Sequence, residues 1–217
     1  MKWNGLSIAL LLFFSSYGTF AQNNFVEGEL VYAISIESAN ATQISSTGTL
    51  TLMLKGNSIV KILELNKGYK NTIIYNGFKK STHSLRSIGD KKVALLLEAE
   101  QIKKIQEKCS SLRIEDIQNE PRAILNFKTE LGIIHCNNAS PLTLYYTKDW
   151  QIKNANLFDE FPSFQYLPLL FDIKNEDGSK VHFELKKIEA KPMENSIFEI
   201  PKDYKVISSE EYNSWQH

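Results

Sequence analysis

Four histidines and two cysteines are the side chains best suited to catalysis or metal binding in this chain of 217 residues. His83, His135, His182 and His217 are far apart, and His83 and His182 fall on the polar faces of predicted strands, where solvated imidazoles are expected. His135 adjoins Cys136, but neighbours on a strand point to opposite faces and cannot bind one ion. The sequence has no Gly-x-Ser-x-Gly, His-Glu-x-x-His, Cys-x-x-Cys or glycine-rich phosphate loop. We therefore predict a protein with no catalytic residue, no metal site and no cofactor.

The two cysteines, Cys109 and Cys136, have neither a catalytic nor a metal-binding spacing. In an oxidising compartment they are expected to form a disulfide that closes a loop of about 27 residues. The alternative is two separate buried thiols, which behave as small apolar side chains.

Aromatic side chains are concentrated between residues 149 and 166, a segment without clean alternation that precedes an apolar run at residues 167–171. A long aromatic connection beside a sheet is typical of a lid or of the mouth of a pocket. The predicted ligand-binding residues are Trp150, Phe158, Phe161, Phe164, Tyr166 and Phe171. The alternative is that these rings fill one end of the core.

The first 21 residues have the three parts of a secretory signal peptide: Lys2, an apolar run over residues 6–14, and a small-x-small ending at Ala21. A membrane anchor is the alternative, but that apolar run is much shorter than the roughly 20 residues that cross a bilayer. We predict cleavage after Ala21 and a secreted or periplasmic mature protein, residues 22–217, that forms a single domain without a membrane span.

Charge is balanced, with 25 Lys and Arg residues against 25 Asp and Glu residues and a pI of about 6.9. Lysine pairs such as Lys79 and Lys80 lie among acidic residues instead of forming a basic stripe. This composition argues against nucleic acid as a partner.

Period-two alternation dominates the predicted mature chain. Leu30, Tyr32 and Ile34 share one face of a strand, and residues 50–54 and 59–63 flank a turn that contains Gly56 and Asn57. A second hairpin is predicted where residues 167–173 turn through Asn175-Glu176-Asp177-Gly178 into residues 181–185.

One segment, residues 92–108, lacks Gly and Pro and is rich in helix-forming residues, which predicts a helix. The competing interpretation is that residues 91–97 form a strand. The last element is predicted as a short edge segment at residues 198–204. About ten strands and one main helix predict a mainly β, α+β fold. Its single large curved antiparallel sheet forms an unclosed half-barrel.

Four stretches, residues 25–32, 52–57, 142–149 and 196–205, together resemble an uncharacterised family of secreted Gram-negative bacterial proteins. That family is similar to the LolA and LolB lipoprotein carriers, whose fold is an unclosed antiparallel half-barrel with a helix over its concave face. The resemblance implies an architecture and no reaction, because it brings no catalytic motif.

Three hypotheses of function follow. The first is a non-catalytic carrier or sensor that holds an acyl chain, such as that of a lipoprotein, or another hydrophobic ligand in the concave face. The alternative is a structural or protein-interaction module of the cell envelope that has a self-filled core and an envelope protein as its partner. An enzyme would need perturbed polar groups that the sequence does not reveal, so we predict that the protein is not an enzyme.

Overall fold

The structure is a computed structural model of the chain. It describes residues 23–39, 44–66, 68–88, 91–98, 100, 102–103, 107, 109, 111–118, 123–137, 139–154 and 157–214, and the statements below concern these residues. The predicted signal peptide, residues 1–21, lies outside them.

The described residues form fifteen strands, one 3₁₀ helix and a C-terminal α-helix, and a few described residues between β7 and β8 are also helical. In chain order the elements are β1 (Asn23–Phe25), β2 (Glu27–Glu37), β3 (Ile44–Lys55), β4 (Ser58–Leu65), β5 (Tyr69–Asn76), β6 (Ser81–Ile88), β7 (Lys91–Leu97), β8 (Leu112–Ile117), β9 (Ala123–Ile124), β10 (Phe127–Lys128), β11 (Glu130–Cys136), β12 (Ala139–Ile152), β13 (Tyr166–Lys174), β14 (Lys180–Ala190), the 3₁₀ helix (Asn195–Phe198), β15 (Lys205–Ile207) and α1 (Ser209–Ser214).

Thirteen strands form one curved sheet in the order β15-β7-β6-β5-β4-β3-β2-β14-β13-β12-β11-β8, with β1 added beside β12. Neighbouring strands are antiparallel except for β1 with β12 and β15 with β7. The outermost strands β15 and β8 do not pair with each other in the part of the chain described, so the sheet is not closed into a barrel. The predicted single, curved and unclosed antiparallel sheet is confirmed.

The main core lies on the concave face of this sheet. Leu54 in β3 and Ile134 in β11 belong to the same buried cluster, although four strands separate them in the sheet. The cluster therefore extends across these strands on one face of the sheet. Tyr32, which is fully buried, belongs to the same core, as the alternation in β2 predicts.

A second core lies on the convex face. Ile74 and Ala94 point away from the main core and are covered by Met193 and Phe198, which belong to the segment that follows β14. This segment includes the 3₁₀ helix, which ends at Phe198, and no strand is present at residues 199–204. The prediction of an edge segment at residues 198–204 is therefore wrong. The added edge strand is β15, which begins after Pro201.

Strand β7 corrects the prediction of a helix over residues 92–108. Val93, Ala94 and Leu95 are 1%, 0% and 7% exposed, because Ala94 faces the convex core while the other two contact Ile207 of β15. A strand that is covered on both faces loses its polar alternation, which is why its sequence resembles that of a buried helix. Among the described residues of this segment, the helical ones lie between Glu100 and Glu107.

Two further features match the sequence predictions. Cys109 and Cys136 form a disulfide, which ties the connection between β7 and β8 to strand β11. The turn between β13 and β14 places Gly178 at a φ of +82°, a conformation that favours glycine. None of the described helices is long and apolar enough to cross a membrane.

Candidate functional site

The aromatic segment, residues 157–165, connects β12 to β13 and lies against the concave face. Its phenylalanines Phe158, Phe161 and Phe164 are only 4%, 1% and 2% exposed. The ring of Phe158 lies 6.1 Å from that of Tyr32 in β2, and the ring of Phe161 lies 5.1 Å from that of Phe171 in β13. The segment therefore fills the concavity beside these strands with its own side chains.

The other predicted ligand-binding residues lie in the strands around this segment. Phe171 is buried and stacks on Phe183 at 4.7 Å. Tyr166 is half-buried and stacks on Tyr146 at 5.5 Å, whereas Trp150 is half-buried against Phe25 at 6.2 Å. The structure therefore brings five of the six rings into one aromatic cluster and places Trp150 at its border.

Next to the aromatic segment the concave face is open, and a groove of about 400 Å³ lies over strands β2 to β5 and β14. We call it the sheet groove. Half-buried aliphatic and aromatic side chains form most of its floor, namely Ile36, Leu50, Leu63, Leu65, Ile73, Val181 and Phe183. Of the six predicted ligand-binding residues, Phe158 and Phe171 line this groove and the others do not.

Lys61 is a functional candidate that sequence reasoning missed. It occupies an inward position of β4 between Ile59 and Leu63, and its side chain is only 15% exposed. Its Nζ lies 2.8 Å from a carboxylate oxygen of Asp159 in the aromatic segment, and both residues line the sheet groove. A charged residue on the apolar face of a strand was the available signal.

A second cavity, of about 810 Å³, lies between β11, β12 and the turn from β13 to β14. We call it the end cavity. It shares Glu160 and Asn175 with the sheet groove, so the two spaces meet at the aromatic segment. Its lining combines apolar side chains such as Leu142 and Ile173 with charged ones such as Lys174 and Asp177.

None of the described histidines lines either cavity. His182 lies between two carboxylates, at 2.9 Å from Glu37 and 2.5 Å from Asp172, but it lines neither space. His83 is 8% exposed, which corrects the expected solvated position; burial and the nearby charge of Lys79 lower its pKa. No cluster of three or more His, Cys, Asp or Glu side chains among the described residues could hold a metal ion.

One polar contact borders the aromatic cluster. The buried Tyr146 hydroxyl donates to the carboxylate of Asp116, which also pairs with Lys148 at 3.2 Å. The hydrogen bond from Tyr146 is the main cause that lowers the pKa of Asp116. Burial, reinforced by the same carboxylate, raises the pKa of Tyr146. The pair closes the aromatic cluster towards the edge strand β8.

No family model matches the sequence, and no curated protein matches it. Solved structures with a similar backbone include an uncharacterised conserved protein from Thermus thermophilus, at 8% identity and a TM-score of 0.48 over 87% of this chain and 92% of that one. MucB in the Pseudomonas aeruginosa MucA/MucB complex has 13% identity and a TM-score of 0.43 over 82% of this chain and 58% of that one.

A LolA superfamily protein from Nitrosomonas europaea is also similar, at 9% identity and a TM-score of 0.38 over 81% of this chain and 91% of that one. The chain spans little more than half of the MucB structure. All three TM-scores lie below 0.5.

Proposed function

We propose that this protein is a non-catalytic carrier or sensor that holds an acyl chain or a similarly slender hydrophobic ligand in the sheet groove. The observation that carries the proposal is the apolar floor of this groove, which the aromatic segment leaves open. A space of about 400 Å³ falls within the range of small-ligand sites, which are typically apolar and concave.

The chemistry of the floor defines the class of ligand. A hydrocarbon ligand would make dispersion contacts with Leu50, Leu63 and Ile73, and removing its apolar surface from water would favour binding. Lys61 is the main cation beside them, and its charge is already paired with Asp159. We therefore expect affinity to follow the length of the hydrocarbon chain rather than the charge of a headgroup.

Replacing Leu63 by Trp tests the proposal, because the larger side chain would occupy the groove. The matched control is Glu64→Trp, which places the same ring one residue along β4 on the exposed opposite face. Delipidated protein would be titrated with saturated fatty acids and a triacylated lipopeptide, and bound species would be counted by native mass spectrometry.

We expect the unmodified protein and the Glu64→Trp variant to bind one acyl ligand and the Leu63→Trp variant to bind at least about tenfold more weakly. The absence of any bound ligand would refute the proposal. Equal binding by both Trp variants would place the ligand outside the sheet groove.

A second candidate function is a protein-interaction module of the cell envelope. It is favoured by the aromatic segment, whose rings Phe161 and Phe164 already fill part of the concave face. In that case the groove would stay empty with every lipid, and a stable protein partner would be recovered from envelope extracts.

The compartment is part of the same proposal. The leader pattern of residues 1–21 and the disulfide between Cys109 and Cys136 both fit export to an oxidising compartment. Sequencing the N-terminus of the protein recovered from the periplasm would test this, since cleavage after Ala21 leaves Gln22 as the first residue.

A further inference from the structure

The turn between β5 and β6 presents the most exposed large apolar side chain among the described residues. Phe78 is 95% exposed, and Lys79 and Lys80 follow it directly in the same exposed turn. Neither lysine forms an ion pair with any residue that the structure describes. An aromatic ring and two uncompensated cations therefore project together into solvent.

This turn is held in place by hydrogen bonds. The side-chain oxygen of Asn76 accepts from the backbone N–H groups of Phe78 and Lys79, at 3.1 and 3.0 Å. The Ser58 hydroxyl accepts from the N–H of Gly77 at 3.1 Å, and a side chain at Gly77 would collide with Asn57. The turn from β3 to β4 thus supports the turn that carries Phe78, so the ring projects from a preorganised base.

Other residues at this end of the sheet extend the same surface. The backbone N–H of Gly56 donates a hydrogen bond to the carbonyl oxygen of Val26 at 3.0 Å. This contact places Val26, whose side chain is 48% exposed, beside the two turns. The Glu27 carboxylate is engaged by Lys55 at 3.3 Å and by the N–H of Met193. We call this surface, formed by Val26, residues 55–58 and residues 76–80, the hairpin end.

We propose that the hairpin end docks on an anionic lipid surface, with Phe78 inserted among the headgroups and Lys79 and Lys80 against their phosphates. A stable protein interface needs a contiguous surface of roughly 800 Å² per partner with an apolar centre, whereas Phe78 and Val26 are the only exposed large apolar side chains among the described residues of the hairpin end. An aromatic ring flanked by lysines suits the interface of a bilayer, where each basic residue adds attraction to acidic lipids.

The proposal also orients the molecule. On β5 the lining of the sheet groove extends from Tyr69 to Ile73, and Ile73 is three residues, or roughly 10 Å along the strand, from Asn76 at the hairpin end. Docking through Phe78 would therefore leave the groove outside the contact with the bilayer, with its Tyr69 end farthest from the lipid surface. Lipid docking and ligand binding would use separate surfaces.

Sedimentation with vesicles tests the proposal, using phosphatidylcholine alone and phosphatidylcholine mixed with phosphatidylglycerol. The variants are Phe78→Ala and the double variant Lys79→Gln/Lys80→Gln. Matched controls lie at the opposite end of the sheet: Ile44→Ala removes a 60% exposed apolar side chain, and Lys70→Gln/Lys174→Gln removes two exposed lysines. Leu63→Trp serves as the control for lipid captured by the sheet groove.

We expect binding to the mixed vesicles only, reduced roughly tenfold by Phe78→Ala and by somewhat more in the double lysine variant. The two opposite-end controls and Leu63→Trp should bind like the unmodified protein. Equal binding to both kinds of vesicle, no binding to either, or equal losses in the matched controls would overturn the proposal. So would a Phe78-dependent cross-link to an envelope protein without vesicle binding.

Discussion

The concave face is built in two different ways on its two sides. Beside β12 and β13 it is covered by the aromatic segment, where Phe161 and Phe164 are almost completely buried. Over β3 to β5 the same face carries half-buried aliphatic side chains such as Leu63 and Ile73, and it remains open as the sheet groove. One side of the concave face is therefore filled by the chain's own side chains, whereas the other side leaves apolar surface open.

The largest expected difference between the two sides is in stability. Phe161→Ala removes a ring that is 1% exposed and contacts Phe158, Phe164 and Phe171, so it should lower the free energy of unfolding by about 3–5 kcal/mol. Leu63→Ala, on the half-buried groove floor, should cost less than about 2 kcal/mol. Urea unfolding of both variants measures the difference, and equal losses would show that the two sides are equally packed.

The disulfide gives the next largest effect. Cys109→Ser with Cys136→Ser opens a loop in which the two residues are 27 positions apart, which should destabilise the protein by about 3 kcal/mol. The reference is the intact protein measured with and without reductant. If the reduced protein and the double variant unfold at the same urea concentration as the oxidised protein, the connection from β7 to β8 does not depend on this bridge.

Alternation was sufficient to predict the strands that have one apolar face and the hairpins between them. The inward face of β2 and the hairpin from β13 to β14 follow from local periodicity, because each strand has one apolar face and each turn has its own chemistry. The prediction failed for strand β7, because Tyr212 of α1 packs on one of its faces and the segment after β14 packs on the other. These partners are about 100 residues away in the chain, so no local pattern reveals them.

The candidate site, like the fold, could be predicted from the sequence only in part. The sequence identifies the aromatic segment by composition, but only packing shows that Phe158 borders the groove while Phe161 does not. Lys61 was visible as a charge on an apolar face, yet its partner Asp159 lies in a segment whose path across the sheet depends on the whole fold. Side-chain type was predictable for this site, whereas the division between filled and open space was not.

A smaller effect is expected where the two sides are joined, at the ion pair between Lys61 and Asp159. Because Asp159 is 47% exposed, a double-mutant cycle with Lys61→Met and Asp159→Asn should give a coupling of at most about 1 kcal/mol. Loss of the pair should nevertheless loosen the aromatic segment and increase binding of N-phenyl-1-naphthylamine, a neutral fluorescent probe. Unchanged probe affinity in Lys61→Met would show that this pair does not control access to the groove.

The smallest expected effect is on folding stability at acidic pH, through the hydrogen bond between Tyr146 and Asp116 on the filled side. The hydrogen bond from Tyr146 and the charge of Lys148 lower the pKa of Asp116 in the folded state. A carboxyl with a lowered pKa stabilises the fold above its unfolded pKa, and this contribution is lost as the pH falls from about 4 through the folded value. Solvent reaches the Asp116 side chain, which is 58% exposed, so we expect the contribution to be at most about 0.5 kcal/mol.

Tyr146→Phe removes the hydrogen bond and should flatten the fall in stability between about pH 4 and pH 2. The matched control is Tyr32→Phe, since the Tyr32 hydroxyl is also buried but donates to the carbonyl oxygen of Pro168, which does not titrate. Urea unfolding at several acidic pH values should therefore give a changed slope for Tyr146→Phe and an unchanged slope for Tyr32→Phe. Parallel curves for the two variants would mean that Asp116 gains no acid-sensitive stabilisation from Tyr146, and that packing of the rings alone maintains the filled side.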